Sequence, residues 1–206
     1  MPELEIIGAP QSTFVRTTRM ALEEKGVPYK LTVARPHSPE VDCIHPFGRI
    51  PVMRHGDFTL CESRAIIGYA DRVFDGPKLI PDDAKRAAVI EQWTSVVASG
   101  VFPAVMPYFR EYFFPASGTT DRAAVEAQLP CVRQAIDVVA RGAGDGYLAG
   151  GEFTLADMYA LPILTYLDRL PESRDIIREA KVDVYLAKHS ERASVRNTMP
   201  PPMPGT

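Results

Sequence analysis

The sequence predicts an α/β unit followed by an all-α unit, and three observations carry that reading. Short apolar runs bounded by turn residues, with one helical stretch between them, extend to about residue 75; a proline-rich acidic break, Asp75-Gly76-Pro77 and Pro81-Asp82-Asp83, follows; beyond it strand-like alternation disappears. With 206 residues, 46% of them hydrophobic, the chain has enough apolar material for two small cores. The break sets the first domain at residues 1–77 and the second at 84–206.

Leu4-Glu5-Ile6-Ile7 is short, apolar and stopped by Gly8-Ala9-Pro10, so it reads as a strand and a turn. A helix follows from about Phe14 to Lys25, where Gly26 suits a left-handed cap and Pro28 lies just beyond. Tyr29 to Val33 reads as the second strand. Ala34 to Phe47 is proline-rich and aperiodic, an irregular crossover with one short helical turn. Val52-Met53-Arg54 and Phe58-Thr59-Leu60 flank His55-Gly56-Asp57 as a hairpin, and Ile66, Tyr69, Ala70 and Val73 then repeat at helical spacing over Ala65 to Phe74. Pro51 brings no N–H to a ladder, so it marks an edge, a bulge or a cis bond at the head of the third strand. The order β-α-β, crossover, β-β-α is that of a thioredoxin-like domain. After the break, helices are expected over Ala84 to about Phe114, Asp121 to about Arg141, Leu155 to about Leu170, Glu172 to about Ala180 and Val182 to Ser190. The tail Pro200-Pro201-Pro202-Met203-Pro204 is not helix.

A formal net charge of −3 argues against wholesale attraction to nucleic acid or membrane and leaves room only for a pocket-sized positive site. The three cysteines, Cys43, Cys61 and Cys131, are odd in number and form no CxxC pair, which disfavours a disulfide framework and a zinc site and points to a reducing compartment. His37, His45, His55 and His189 are scattered, so no metal is expected. The start Met1-Pro2-Glu3-Leu4-Glu5 lacks a basic segment and a long apolar one, and Gly100 and Pro103 break the apolar run from Val96 to Met106; the expectation is a cytoplasmic protein.

The chemistry-bearing residues sit at the ends of these elements. Ser12 lies between the first strand and first helix, where unpaired N–H groups and the helix dipole favour an anion such as a thiolate; the plainer reading is that Ser12 or Thr13 caps the helix, Thr13 being the better pure cap. Glu62 suits a ligand ammonium, and Ser63 at a helix start suits a carboxylate, although an acid and a serine at that place also serve as ordinary helix-start residues. Arg49 offers a cation to a second carboxylate. Together they describe a short peptide with two acidic termini, an amino group and a thiol. Cys61, closing an apolar strand, reads as a small core residue. Thr154 and Asp157 suit a reciprocal helix cap. Trp93, Phe102, Met106, Tyr108, Phe109, Tyr112 and Phe113 crowd the first long helix of the second domain; most are core, and Met106, Phe109 and Phe113 are the candidates for an apolar acceptor pocket.

Gly8-Ala9-Pro10-Gln11-Ser12 with Arg19 and Glu24-Lys25, then Pro46-Phe47-Gly48-Arg49-Ile50-Pro51-Val52, Leu60-Cys61-Glu62-Ser63-Arg64-Ala65-Ile66 and Phe153-Thr154-Leu155-Ala156-Asp157, in this order, resemble the glutathione transferase family over nearly the whole chain. The resemblance implies a thioredoxin-like domain that binds glutathione as co-substrate, a helical domain that shapes the site of a small hydrophobic electrophile, and a homodimer. Carried over by position, Ser12 would face the sulfur, the backbone of Ile50 before a cis Pro51 would pair with the cysteinyl unit, Glu62 with Ser63 would hold the γ-glutamyl head, and Arg49 would lie near the glycine carboxylate. The first 28 residues hold neither tyrosine nor cysteine, so a bacterial-type enzyme with a serine-type active site, resembling the phi/theta-like classes, is the match. His45 stands where asparagine is common and Arg49 where lysine or glutamine is common; the positive charge at 49 survives. The expected function is activation of the glutathione thiolate for attack on a hydrophobic electrophile. A glutathione-dependent reductase, isomerase or lyase, or a non-catalytic interaction module on the same scaffold, are the alternatives.

Overall fold

The computed structural model describes residues 3–202 and divides the chain into two compact units. One takes in the residues up to Asp82 together with those from Glu191 onward; the other is Asp83–Ser190. In the first, β1 (Leu4–Ile7), α1 (Thr13–Lys25), β2 (Lys30–Thr32), α2 (Pro39–Asp42), β3 (Val52–His55), β4 (Phe58–Cys61) and α3 (Ser63–Val73) follow in turn. The four strands form one sheet ordered β2-β1-β3-β4, with β1 parallel to β2 and β3 antiparallel to both its neighbours. This is the thioredoxin-like arrangement. Because side chains alternate along a strand, the sheet feeds two cores. Leu4, Ile6 and Met53 join Leu22, Ile66 and Ala70 on one face, while Ile7 and Val52 join Ala34 and Val41 on the other.

A buried ion pair ties the helices of this unit to the chain that leaves it. Lys25 Nζ lies 3.1 Å from Asp71 Oδ1, with the two side chains 1% and 4% exposed. The ammonium also donates to the Pro77 carbonyl at 3.2 Å, and the Asp71 carboxylate accepts the N–H groups of Leu79 at 2.9 Å and Ile80 at 3.1 Å. Neither charge is left with a single partner, which is the condition under which a buried pair holds.

The tail departs from the sequence expectation. Residues 84–206 read as one helical domain, yet α10 (Ala193–Asn197) packs on α1 in the first unit. Arg192 grips the Glu24 carboxylate with two hydrogen bonds, 3.0 and 2.7 Å, and the Ser194 hydroxyl donates to the same group. Asn197 Nδ2 donates to Glu23 at 3.0 Å, and the guanidinium of Arg16 donates to the Val195 carbonyl at 3.3 Å. A five-residue helix held through polar groups leaves little apolar period to read. Of the proline-rich tail, Pro200–Pro202 are non-helical as expected, and the remainder lies outside the described residues. Burial works to raise the Glu24 pKa, but the Arg192 and Ser194 hydrogen bonds outweigh it and hold the carboxyl below its ordinary 4.5.

In the second unit α4 (Ala84–Val96) runs through a π-helical segment, Val97–Val101, into α5 (Phe102–Phe113) without a break. The single helix expected over Ala84 to about Phe114 is therefore present, with Gly100 and Pro103 accommodated inside it. Phe102 N–H reaches back five residues to the Val97 carbonyl, and this wider turn immediately precedes Pro103, carrying the helix up to a residue that lacks its own N–H. The continuous helix has the length and composition of a membrane span; within the unit α5 packs on α6 (Arg122–Gly142) and α4 on α7 (Leu155–Leu167). Helices α8 (Pro171–Glu179) and α9 (Val182–Ser190) complete the unit. Nearly every residue of α7 is buried. Its start is pinned by Asp157, itself 0% exposed, whose carboxylate accepts Thr154 N–H and Leu148 N–H, each at 2.9 Å, the Thr154 hydroxyl at 3.2 Å and the Tyr185 hydroxyl at 2.8 Å. Burial first, and the charge of Asp157 second, push the Tyr185 hydroxyl well above its ordinary range.

Two outcomes follow from these contacts. Asp71→Ala strands the Lys25 ammonium and two N–H groups, and is expected to cost about 3–5 kcal/mol in urea unfolding, whereas Lys25→Met with Asp71→Leu recovers part of that loss. Since the folded pKa of Glu24 is depressed, its contribution is present above 4.5 and is lost as pH falls through the lower folded value. The stability advantage of the parent over Glu24→Gln is thus expected to be constant near neutrality and to shrink in acid; an advantage that grows on acidification contradicts the sign.

Candidate functional site

The register of the sheet assembles the site. Val52 pairs with Ile7 of β1 on one side and with Cys61 of β4 on the other. Ile7 and Cys61 end their strands and Val52 begins its own, so three loops leave the sheet at one edge: Gly8 to Ser12, Arg49 to Pro51, and Glu62-Ser63. Every sequence-predicted residue of the first domain lies on one of them.

On the first loop, Gly8 is a close-approach residue. A Cβ added there would stand 2.6 Å from Val15 Cγ2 and 3.1 Å from Ile50 Cβ, so the absence of a side chain lets the Ile50 segment lie against the turn into α1. Ser12 is the N-cap of α1, its hydroxyl oxygen accepting Val15 N–H at a long 3.4 Å. Thr13, expected to be the better pure cap, is instead the first helical residue, and its carbonyl accepts the Thr17 hydroxyl at 3.0 Å. A hydroxyl that accepts one bond keeps its own proton to give.

The second loop is shaped by a turn. Gly48 N–H closes onto the His45 carbonyl at 3.0 Å, with Pro46 at the position a turn favours and Gly48 at a φ of 59°, where an added Cβ would collide with His37 and Asp42. Arg49 follows, exposed, with its guanidinium over the Phe47 ring at 5.6 Å. The Ile50-Pro51 bond is cis, and among the described residues neither the N–H nor the carbonyl of Ile50 is engaged in a backbone hydrogen bond.

On the third loop Glu62, not Ser63, occupies the N-cap position of α3, and Ser63 is its first helical residue, 7% exposed. Glu62 has a φ of 69°, a conformation that L side chains rarely adopt, and its carboxylate makes no cap hydrogen bond. The side chain is 66% exposed, and its Oε1 lies 3.2 Å from Nε2 of His45. His45 stood out in the sequence only as a departure from a common asparagine, and the contact with Glu62 was invisible there. Cys61 packs beside Ile7, Val41 and Val52 as a partly buried apolar residue.

In the second unit Met106, Phe109 and Phe113 share one side of α5. Phe109 is 4% exposed and meets Phe113 at 5.7 Å and Tyr166 at 6.0 Å between ring centroids, which makes it part of the unit's interior. Met106 and Phe113 are half-buried. Tyr108 and Tyr112 turn toward α8, where both hydroxyls donate to Glu172, at 3.1 and 2.5 Å; Arg122 bonds the other carboxylate oxygen at 2.8 Å. Burial, above all, pushes both tyrosine hydroxyls up.

Residues 6–78 match the family profile described as "Glutathione S-transferase, N-terminal domain" and residues 122–187 the one described as "Glutathione S-transferase, C-terminal domain". The chain is 37% identical to "Glutathione S-transferase 3" of Zea mays over 177 residues, 80% of this chain and 79% of that one. Poplar glutathione transferase F1 superposes with a TM-score of 0.85 at 28% identity, covering 96% of this chain and 97% of that one. A glutathione S-transferase from Methylobacillus flagellatus, solved with glutathione bound, superposes at 0.81 with 25% identity over 97% of this chain and 100% of that one. These matches define a two-domain transferase of thioredoxin-like and helical parts. The chain belongs to the glutathione S-transferase family, and its enzyme class is glutathione transferase.

Gly8→Ala is expected to force Val15 and Ile50 apart, costing about 1–3 kcal/mol and moving the backbone amide resonances of Ile50 and Val52. Unchanged stability and unchanged amide shifts exclude the close approach.

Proposed function

We propose that the chain binds glutathione along the sheet edge where the loops after Ile7, before Val52 and after Cys61 emerge, activates its thiol with Ser12, and delivers it to a small hydrophobic electrophile. The observation that carries this reading is the Ile7, Val52 and Cys61 register, which brings an α1 N-terminus, an unpaired backbone segment and an α3 N-terminus to one place. Residues 1–77 take the tripeptide role, and of the expected second domain the helices up to Ser190 take the electrophile role, since α10 packs on the first unit. Family resemblance supports a cytoplasmic homodimer.

The tripeptide's groups have natural partners. Its γ-glutamyl ammonium suits the exposed Glu62 carboxylate, and the adjacent carboxylate suits Ser63 at the start of α3. The cysteinyl unit finds the backbone of Ile50, and the glycine carboxylate the exposed cation of Arg49. Ser12 accepts from Val15 and so keeps its proton for an anion, which the α1 dipole also favours. Lowering a thiol from a pKa of about 8.5 to about 6.5 takes roughly 2.7 kcal/mol, within the reach of one charge-assisted hydrogen bond and a helix terminus. A hydroxyl forms no mixed disulfide, which favours conjugation over thiol–disulfide reduction at this position. For the electrophile, Met106 and Phe113 offer accessible apolar surface, with Phe109 behind them.

Titration of bound glutathione by thiolate absorbance tests the proposal. In the parent the thiol is expected to ionise about two pH units below free glutathione. In Ser12→Ala it returns most of the way, and the rate with an aryl halide at neutral pH falls by about tenfold or more. An unshifted thiol in both proteins removes Ser12 from the mechanism; no binding of the tripeptide removes the whole reading. Glu62→Gln is expected to weaken glutathione binding by roughly 10–100-fold, read by calorimetry.

A further inference from the structure

We propose that His45 is a positioning residue of this site: one neutral imidazole, protonated on Nε2, holds the Glu62 carboxylate in place while its Nδ1 holds the turn that carries Arg49 and Ile50. The role assigned to the Glu62 contact rests on the glutathione reading above.

Two contacts fix one tautomer. Nδ1 of His45 lies 3.0 Å from the Phe47 nitrogen, which can only donate, so Nδ1 accepts and carries no proton. Nε2 lies 3.2 Å from Glu62 Oε1, and an ionised carboxylate can only accept, so Nε2 carries the proton. The ring is 3% exposed while the glutamate it touches is 66% exposed. A rigid buried donor thus restrains a long exposed acid that has no other described partner. Left to itself, such a side chain samples several rotamers and must be ordered when a ligand arrives.

The same ring reaches the opposite end of the site. Its Nδ1 bond to Phe47 N–H and its carbonyl bond to Gly48 N–H both brace the turn that ends in Arg49. An imidazole at this position couples the residue proposed for the ammonium to the segment proposed for the cysteinyl and glycine units. Asparagine and glutamine separate the two duties. The amide of His45→Asn reaches the Nδ1 position, keeping the Phe47 bond, and is too short for Glu62. His45→Gln reaches the Nε2 position, keeping Glu62, and gives up the turn.

The experiment uses the full chain as parent, His45→Asn, Glu62→Gln and the double variant, each checked for folding by circular dichroism. His45→Asn is expected to raise the dissociation constant and the KM for glutathione about three- to tenfold, with a smaller change in kcat at saturation. In the Glu62→Gln background the same substitution is expected to have no further effect, because the amide still accepts from Nε2 but the carboxylate charge that the imidazole holds in place for the ammonium is already lost. A His45→Asn effect of equal size in both backgrounds, or folded His45→Asn that binds glutathione as the parent does, overturns the proposal. The ligand-free parent gives an independent readout. Its 15N imidazole spectrum, with His45 assigned by its loss in the Asn variant, is expected to show an unprotonated Nδ1 and a protonated Nε2; the reverse tautomer overturns the proposal even where glutathione binds. A parent that shows the assigned tautomer but binds no glutathione overturns the function on which the role of His45 rests, while leaving the imidazole–carboxylate contact standing.

Discussion

The double pairing of β3 at Val52 is the constraint on which the rest of the first unit depends. Strand registers have a period of two, so a slip by one residue would exchange Val52 and Met53 between the two faces of the sheet. Both residues are fully buried, each in a different core, and a slip in one direction would put Arg54 in the buried place of Met53, while a slip in the other would put Pro51, with no N–H for the ladder, in that of Val52. The register is therefore specified twice. With it fixed, the ends of β1 and β4 and the start of β3 share one edge, and the loops that leave them have only a few residues in which to diverge. Site geometry here is a by-product of core packing.

The two enclosed carboxylates are handled in one way and an exposed one in another. Asp71 and Asp157 are almost wholly enclosed, and each accepts from several donors that belong to different segments: Lys25 and the 79–80 backbone in one case, the loop before α7 and Tyr185 of α9 in the other. Removing a carboxylate from water is tolerable when its lone pairs are filled, and filling them fastens the segments that supply the donors. Glu62 is the contrast. It is mostly exposed, sits at a positive φ and takes one hydrogen from His45, which leaves acceptor capacity facing solvent. A carboxylate so placed contributes little to the fold and has room for a cationic ligand.

Most of the first unit was legible in the sequence because its signals are local. The stop at Gly8-Ala9-Pro10, the left-handed Gly26 and the hairpin around Gly56 each act within a few residues, and the four strands, α1 and α3 were found within one or two residues of their observed spans, while α2 was expected only as a turn somewhere in Ala34 to Phe47. The candidate loops were legible for the same reason, lying where strands end. What escaped depends on distance or on polar docking. Glu24 meets Arg192 and Ser194 from the far end of the chain, so α10 left no apolar period to detect. The helix expected from Ala84 to about Phe114 is continuous, but the π-helical turn that carries it past Gly100 and Pro103 has no local signature. Phe109, read as pocket lining, is interior because Tyr166 of α7 closes over it, a contact no periodicity within α5 reveals. The His45–Glu62 contact belongs to the same class: nothing local links a residue of the crossover to the residue after β4.

For Ser12 the observed structural role and the proposed chemical one need not compete. The two readings of this residue, a helix cap and a donor to sulfur, were alternatives while only its position was known. The hydroxyl oxygen accepts from Val15 N–H, and that uses a lone pair and leaves the proton. The cap bond orients the oxygen and is itself weak at 3.4 Å, so little stability is tied to it and the hydroxyl has latitude to shorten a bond to an anion. Residues that cap helix starts already stand in the field that favours negative charge. A serine at the head of α1 therefore requires no separate device to meet a thiolate. The role proposed for it requires only that the loop before Val52 bring the sulfur to it, and that loop lies beside Gly8.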